Sequence, residues 1–270
     1  MTMEQTSLSD HRFIFVCGLH RSGTSVLFRS LRDHPEVSGF QGTASPEDEG
    51  MHLQTVYPPS GQYGGAGAFG FYPEAHLTEQ SPLVSEANRQ KLFAEWSRYW
   101  DLSKTYLLEK SPPNIIRTRF LQAMFPNSYF IVMLRHPLAV SYATQKWYRE
   151  YKINWRGFRR IFEHWLVCQE LFKADQKYLE RAFVVKYEEF VAEPHKWVND
   201  MYRFLGLSDY PVNQKILSDV NKKYFKKWNA KSAGFFSGMA NRTIIKRYEE
   251  RVRCFGYSLT DLDWLGPITE

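Results

Sequence analysis

The chain has 270 residues, 43% of them hydrophobic and 16% aromatic, with a formal charge of +6 and a pI near 9.1. That supplies one large domain, or two at most, and no run of 18 apolar residues exists to read as a transmembrane helix. The basic residues are spread along the chain, densest at 156–160 and 222–227, without a nucleic-acid motif; this excess suits an anionic nucleotide better than a nucleic acid.

Residues 1–11 lack a signal-peptide pattern and read as a flexible lead, followed by a single domain over 12–270. Residues 12–17 are almost wholly apolar, as a strand buried on both faces requires. A helix is expected over 24–33, with Val26, Leu27 and Leu31 inward, ended by His34-Pro35. Ser45, Pro46 and the acids after them predict a short helix that stops before Pro58. The glycine-rich, aromatic stretch 58–72 is a loop, placed to cover an acceptor. Then follow a helix over 84–100, a strand over 105–110, a helical segment over 113–125, a strand over 127–135 and a helix over 137–150. A helix over 156–180 turns Phe158, Phe162, Trp165 and Phe172 to one side. A strand over 182–187 and a helix stopped by Gly206 complete the alternation; beyond Ser208 the chain is more polar, with one more helix over 243–253. Strands alternating with helices predict an α/β domain with a mainly parallel sheet. Cys17, Cys168 and Cys254 lack metal-ligand spacing and read as small hydrophobes, in a reducing, cytoplasmic setting.

The first strand runs into Gly18-Leu19-His20-Arg21-Ser22-Gly23-Thr24-Ser25, which has the spacing of a phosphate-binding P-loop. Thr24 stands where a nucleoside triphosphatase has lysine, so the reach to a γ-phosphate is gone. His20 and Arg21 add cationic donors at the near end, which fits a short 5′ anion. Arg135, at the end of the 127–135 strand, shares the carboxyl edge of the sheet with this loop and reads as a phosphate fork or as a helix-capping ion pair. Ser141 and Thr144 on the next helix offer hydroxyls. Lys110 ends a buried strand on the same edge.

GLHRSGTS after a strand, HPEV at 34–37, EKSP at 109–112, FPNSYFIVMLRHP and KYEEFVAEPHKWVNDMYRFLGL together resemble the sulfotransferases that use 3′-phosphoadenosine-5′-phosphosulfate (PAPS). The likeness covers roughly 12–44 and 105–207 and lies closest to the branch that includes tyrosylprotein and many bacterial sulfotransferases. It implies a P-loop fold and in-line transfer of a sulfuryl group to a hydroxyl, less readily an amine, of a small-molecule or glycan acceptor. The product nucleotide is then adenosine 3′,5′-bisphosphate, and no metal is needed. On that likeness residues 18–25 hold the 5′-phosphosulfate, Arg135 the 3′-phosphate, and Tyr187 lies beside the nucleotide. Two departures stand out. Ala143 occupies the family's usual 3′-phosphate serine position, leaving Ser141 or Thr144 to substitute, and the acidic pair that the tyrosylprotein branch carries after its HPEV-like segment is missing from SGFQGT. The remaining bases are Glu49 and His52, which share a helical face at i, i+3 and read equally as a catalytic pair or as partners of the helix dipole. Arg21 and Lys110 are the cations for the transferring group. A small-molecule kinase with a degenerate P-loop and a non-catalytic nucleotide-binding module are the alternatives.

Overall fold

The computed structural model describes residues 8–147 and 155–269. Its centre is a five-stranded, wholly parallel sheet in the order β2-β3-β1-β4-β5. In chain order the elements are β1 (Arg12–Gly18), α1 (Thr24–Arg32), β2 (Val37–Gly39), α2 (Glu86–Trp96), β3 (Tyr106–Lys110), α3 (Thr118–Met124) and β4 (Ser128–Leu134). Then come α4 (Pro137–Trp147), α5 (Trp155–Gln176), β5 (Ala182–Lys186), α6 (Tyr187–Ala192), α7 (Pro194–Leu205), α8 (Lys222–Ala233) and α9 (Phe235–Arg253).

The apolar runs dictate this arrangement. From Phe13 to Cys17 and from Phe130 to Met133 every residue is fully buried, because helices cover both faces of a parallel sheet. On one face Phe13 and Phe15 meet Phe125, Trp96 and Trp100. The two indoles bury their rings and still satisfy their N–H groups, Trp96 on the Gly50 carbonyl (2.9 Å) and Trp100 on that of Leu108 (3.0 Å). Trp96 and Trp100 are therefore core. The predicted stripe on α5 is buried at Phe158, Phe162, Trp165 and Phe172.

Register sets the functional edge. Val16 pairs with Lys110, Gly18 with Met133 and Leu134 with Lys186. The carboxyl ends of β3, β1, β4 and β5 thus lie side by side, where ligands of open α/β sheets bind. The chain leaves β1 toward β2 on one side and crosses from β3 to β4 on the other.

One expectation needs correction. The helix expected over 45–57 is two 3₁₀ turns, Pro46–Asp48 and Gly50–His52, with Glu47 and Asp48 in the left-handed region at φ 54° and 53°. Ser45 does not cap it; its hydroxyl donates to the Glu49 carbonyl at 2.8 Å. The Gly50 and Met51 amides bond to side chains at the end of β3, so no helical ladder forms. Within the 58–72 loop residues 65–70 are buried, with Phe69 against His164. Finally, β2, α6 and α8 were not read from the sequence. β2 is three residues long, and α6 follows β5 with no intervening loop.

Candidate functional site

The loop after β1 is shaped by its glycines and Ser22. Gly18 (φ 149°) has no room for a Cβ, which would lie 2.7 Å from the Met133 carbonyl oxygen. The Ser22 hydroxyl donates back to the Leu19 carbonyl at 2.6 Å. Arg21 (φ 68°) and Gly23 (φ 103°) take left-handed backbone, and no side chain caps α1. The N-terminus of α1 therefore opens on the cavity beside the loop with its partial positive charge unspent.

That cavity has a volume of about 300 Å³. His20, Arg21, Gly23, Thr24 and Ser25 form one wall, Glu47, Glu49 and Pro112 a second, and Arg135, Ala143, Tyr187, Lys223 and Tyr224 a third. It gathers most of the residues singled out in the sequence. Gly18 and Ser22 stand behind the loop and shape it.

Arg135 is held in place before any ligand arrives. Its Nη1 donates to the Arg21 carbonyl (2.7 Å), and Nε and Nη2 both donate to Asn221 Oδ1 (2.9 and 2.7 Å). Its guanidinium carbon lies 4.1 Å from the centre of the Tyr187 ring, and that ring packs on Gly23. Asn221 is oriented in turn by Glu188, which also accepts the His136 amide and the Tyr257 hydroxyl. The acceptors touching Arg135 are neutral oxygens, so its charge is not cancelled by a contacting carboxylate and is available to an anion. The helix-capping ion pair is not what forms.

Ser141 is fully buried, its hydroxyl has no partner, and it does not line this cavity. Thr144 faces a minute void beneath His20. Ala143 is the α4 residue on the cavity wall.

Glu49 sits at the opposite end, 7% exposed, with Lys110 Nζ 3.2 Å from Oε1. Burial raises its pKa above the ordinary carboxylate value, and Lys110 opposes that shift. Lys110 is wholly buried behind Glu49 and reaches the cavity only through it. His52 Nε2 is 3.9 Å from Glu49 Oε2. Its ring lines a separate groove with Ser45, Gln54 and Glu95, and burial together with Lys110 lowers its pKa. His20 is held neutral, its pKa pushed down to about 3 by burial and by Lys110, and its buried Nδ1 has no partner.

Asn221, Lys223 and Tyr224 escaped sequence reasoning. Their one signal was the lysine cluster at 222–227, read as charge rather than as a wall of the site. Among the described residues no group of three or more His, Cys, Asp or Glu is placed to hold a metal ion.

A family model described as Sulfotransferase family matches residues 13–211. Protein-tyrosine sulfotransferase 2 of Gallus gallus is 28% identical over 207 residues, 72% of this chain and 51% of the relative. Protein-tyrosine sulfotransferase 1 of Danio rerio is 24% identical over 220 residues, 77% of this chain and 56% of the relative. The chain spans about half the length of these curated relatives. Among solved structures, sulfotransferase STF9 from Mycobacterium avium is similar in fold, with a TM-score of 0.53 and 14% identity, covering 96% of this chain and 79% of that one.

Proposed function

Since the chain belongs to the sulfotransferase family, we propose that it moves a sulfuryl group from PAPS to the hydroxyl of a small-molecule or glycan acceptor. The observation that carries the donor is the pairing of an uncapped helix N-terminus and an uncancelled, pre-oriented Arg135 on one cavity. The first suits the 5′-phosphosulfate and the second a lone 3′-phosphate. Thr24 and Ser25 line the 5′ end, where a nucleoside triphosphatase has its lysine and magnesium ligand.

The donor supplies the sulfuryl group and the leaving phosphate; the chain supplies a base and cations. Glu49 faces the cavity and His52 does not, which favours direct proton abstraction by Glu49 over a relay through the imidazole. When Glu49 takes the acceptor proton, its ion pair with Lys110 weakens. The lysine charge behind Glu49 is then less compensated at the moment negative charge grows on the leaving phosphate. Arg21, in the loop wall of the cavity, is the second cation.

The test is calorimetry, with magnesium present only in the ATP arm. Adenosine 3′,5′-bisphosphate is expected to bind more tightly than adenosine 5′-phosphate, and ATP with magnesium more weakly than either. Equal affinity for the first two removes the 3′-phosphate site, and a preference for ATP with magnesium favours the kinase reading. Incubation of labelled PAPS with candidate alcohols then reports transfer.

A further inference from the structure

We infer that Glu109 is a positioning residue that, with Ser111, latches the turn bearing Glu49 to the end of β3. Consecutive residues of a strand point to opposite faces, and here they divide the work. Lys110 turns to the Glu49 carboxylate; Glu109 turns to the backbone of the next residue. Its Oε1 accepts the Gly50 amide at 3.0 Å and the Ser111 hydroxyl at 2.6 Å, and Ser111 Oγ accepts the Met51 amide at 2.9 Å. Oε2 accepts Asn114 Nδ2 at 2.5 Å. Glu109, Lys110, Ser111 and Asn114 are all 0% exposed. Among the described residues no Lys, Arg or His forms an ion pair with Glu109, so the carboxylate is spent on these hydrogen bonds. A buried carboxylate is costly to keep, and its contacts converge on two amides directly after Glu49. The turn has only short 3₁₀ bonds and the Ser45 hydroxyl on the Glu49 carbonyl of its own, and Glu47 and Asp48 before it hold left-handed backbone, so the latch is what ties it to the β3 strand that carries Lys110.

Gly50 belongs to the latch. A Cβ there would lie 2.5 Å from Glu109 Oε1, so the close approach needs glycine. Its carbonyl is held from the other side by the Trp96 indole. Asn114 offers an internal control. Its Oδ1 has no partner, so a half-turn of the amide lets it accept an N–H from a glutamine at 109, while the glutamine oxygen still accepts from Gly50 and Ser111.

The inference rests on the sulfuryl-transfer reading, so its test includes a measurement that needs no substrate. Amide hydrogen exchange at Gly50 and Met51, single-turnover transfer, and affinity for adenosine 3′,5′-bisphosphate are compared in the parent, Glu109→Ala, Glu109→Gln and Ser111→Ala. In Glu109→Ala, exchange at both amides is expected to accelerate and transfer to fall by about 10²-fold, the scale of a displaced catalytic group. Nucleotide affinity stays within about threefold. Glu109→Gln restores transfer to within about fivefold of the parent, since bonds rather than charge hold the turn. Ser111→Ala loses about tenfold at unchanged affinity. Parent-rate transfer in Glu109→Ala, or a glutamine variant as slow as the alanine one, overturns the latch. If Glu109→Ala does not fold, Ser111→Ala decides, and parent-rate transfer in it has the same consequence. If the parent itself transfers nothing, the functional reading fails while exchange still judges the latch: unchanged protection in Glu109→Gln and accelerated exchange in Ser111→Ala support it, and protection unchanged in Ser111→Ala refutes it.

Discussion

Glu49 feels two opposed influences. Burial pushes its pKa up, Lys110 pulls it down, and burial is the larger. As the proposed base, it must be ionised, so transfer is expected to rise with pH through a pKa above the ordinary carboxylate value. Glu49→Gln should remove that limb and at least about 10²-fold of the rate, whereas His52→Asn should leave most of it. Lys110→Ala removes the influence that holds the pKa down, so the acid limb should move to higher pH as the rate falls by about 10²-fold. A pH–rate profile of the three variants reads both effects; an acid limb unmoved in Lys110→Ala would separate the lysine from the base. Glu109 makes a different pH prediction, about stability. Burial raises its pKa from 4.5 to about 7. Between those values the folded chain holds a proton that the unfolded chain has lost, so this contribution is fully present below 4.5 and is lost as pH rises through 7. A shift of this size is worth roughly 3 kcal/mol. Denaturation midpoints of the parent and Glu109→Gln at both ends of the window should differ in slope, the variant being flatter. Arg135→Ala should abolish the preference for a 3′-phosphate, a loss on the order of 1.5–3 kcal/mol measured by calorimetry.

The phosphate loop and the 45–52 turn are two elements built by opposite means. The loop repeats a pattern in which spacing alone dictates backbone geometry: Gly18 and Gly23 supply positive φ, and α1 begins where the glycine ends. Gly23→Ala combines a strained φ with a Cβ 2.5 Å from the Tyr187 ring. It should displace Tyr187, and with it the ring beneath Arg135, lowering affinity for adenosine 3′,5′-bisphosphate by at least about tenfold and lowering the melting temperature. Unchanged affinity would show that the loop tolerates a β-carbon there. The turn, in contrast, has the N-cap, proline and acids of a helix start and forms none. Local preference loses because β3 offers its amides better partners than a helical ladder would.

At the scale of the molecule, charge is not evenly spread. Residues 222–253 hold ten Lys and Arg against two Glu, a net +8 in a chain whose total is +6, so the remainder is slightly acidic. Folding brings the start of this segment onto the cavity through Lys223 and Tyr224, beside a second hollow of about 260 Å³ lined by Tyr142, Gln145, Lys146 and Lys227. Such a field would gather the multiply charged nucleotide of the proposed function from solution. Its association rate should fall steeply with salt, and replacing Lys223 and Lys227 by alanine should reduce both the rate and its salt dependence. Stopped-flow binding at two ionic strengths checks this, and a salt slope identical in the variant would assign the effect to other charges.

The sequence by itself determined four of the five strands and the glycine loop after the first. Continuous apolar runs specify strands buried on both faces, and the order strand, glycine loop, helix specifies an anion site whatever surrounds it. It also supplied Arg135 and Lys110 as residues at one edge, since strand ends are legible from where each run stops; Glu49 it offered only as a candidate base on a helix that does not form. Only the tertiary structure decided what those residues touch. Glu49 meets Lys110 because β1 and β3 pair in register and the turn folds back onto the β3 end; Arg135 is clamped by Asn221, which is 86 residues away in the chain. The stretch after Ser208 is more polar and less periodic, and α8 was not read in it, yet α8 walls the cavity, and Glu109 reads as one more residue in a buried strand until the amides it holds are seen. Contacts of that sequence separation leave no local pattern, because each partner satisfies its own neighbourhood and the pairing exists only in the folded chain.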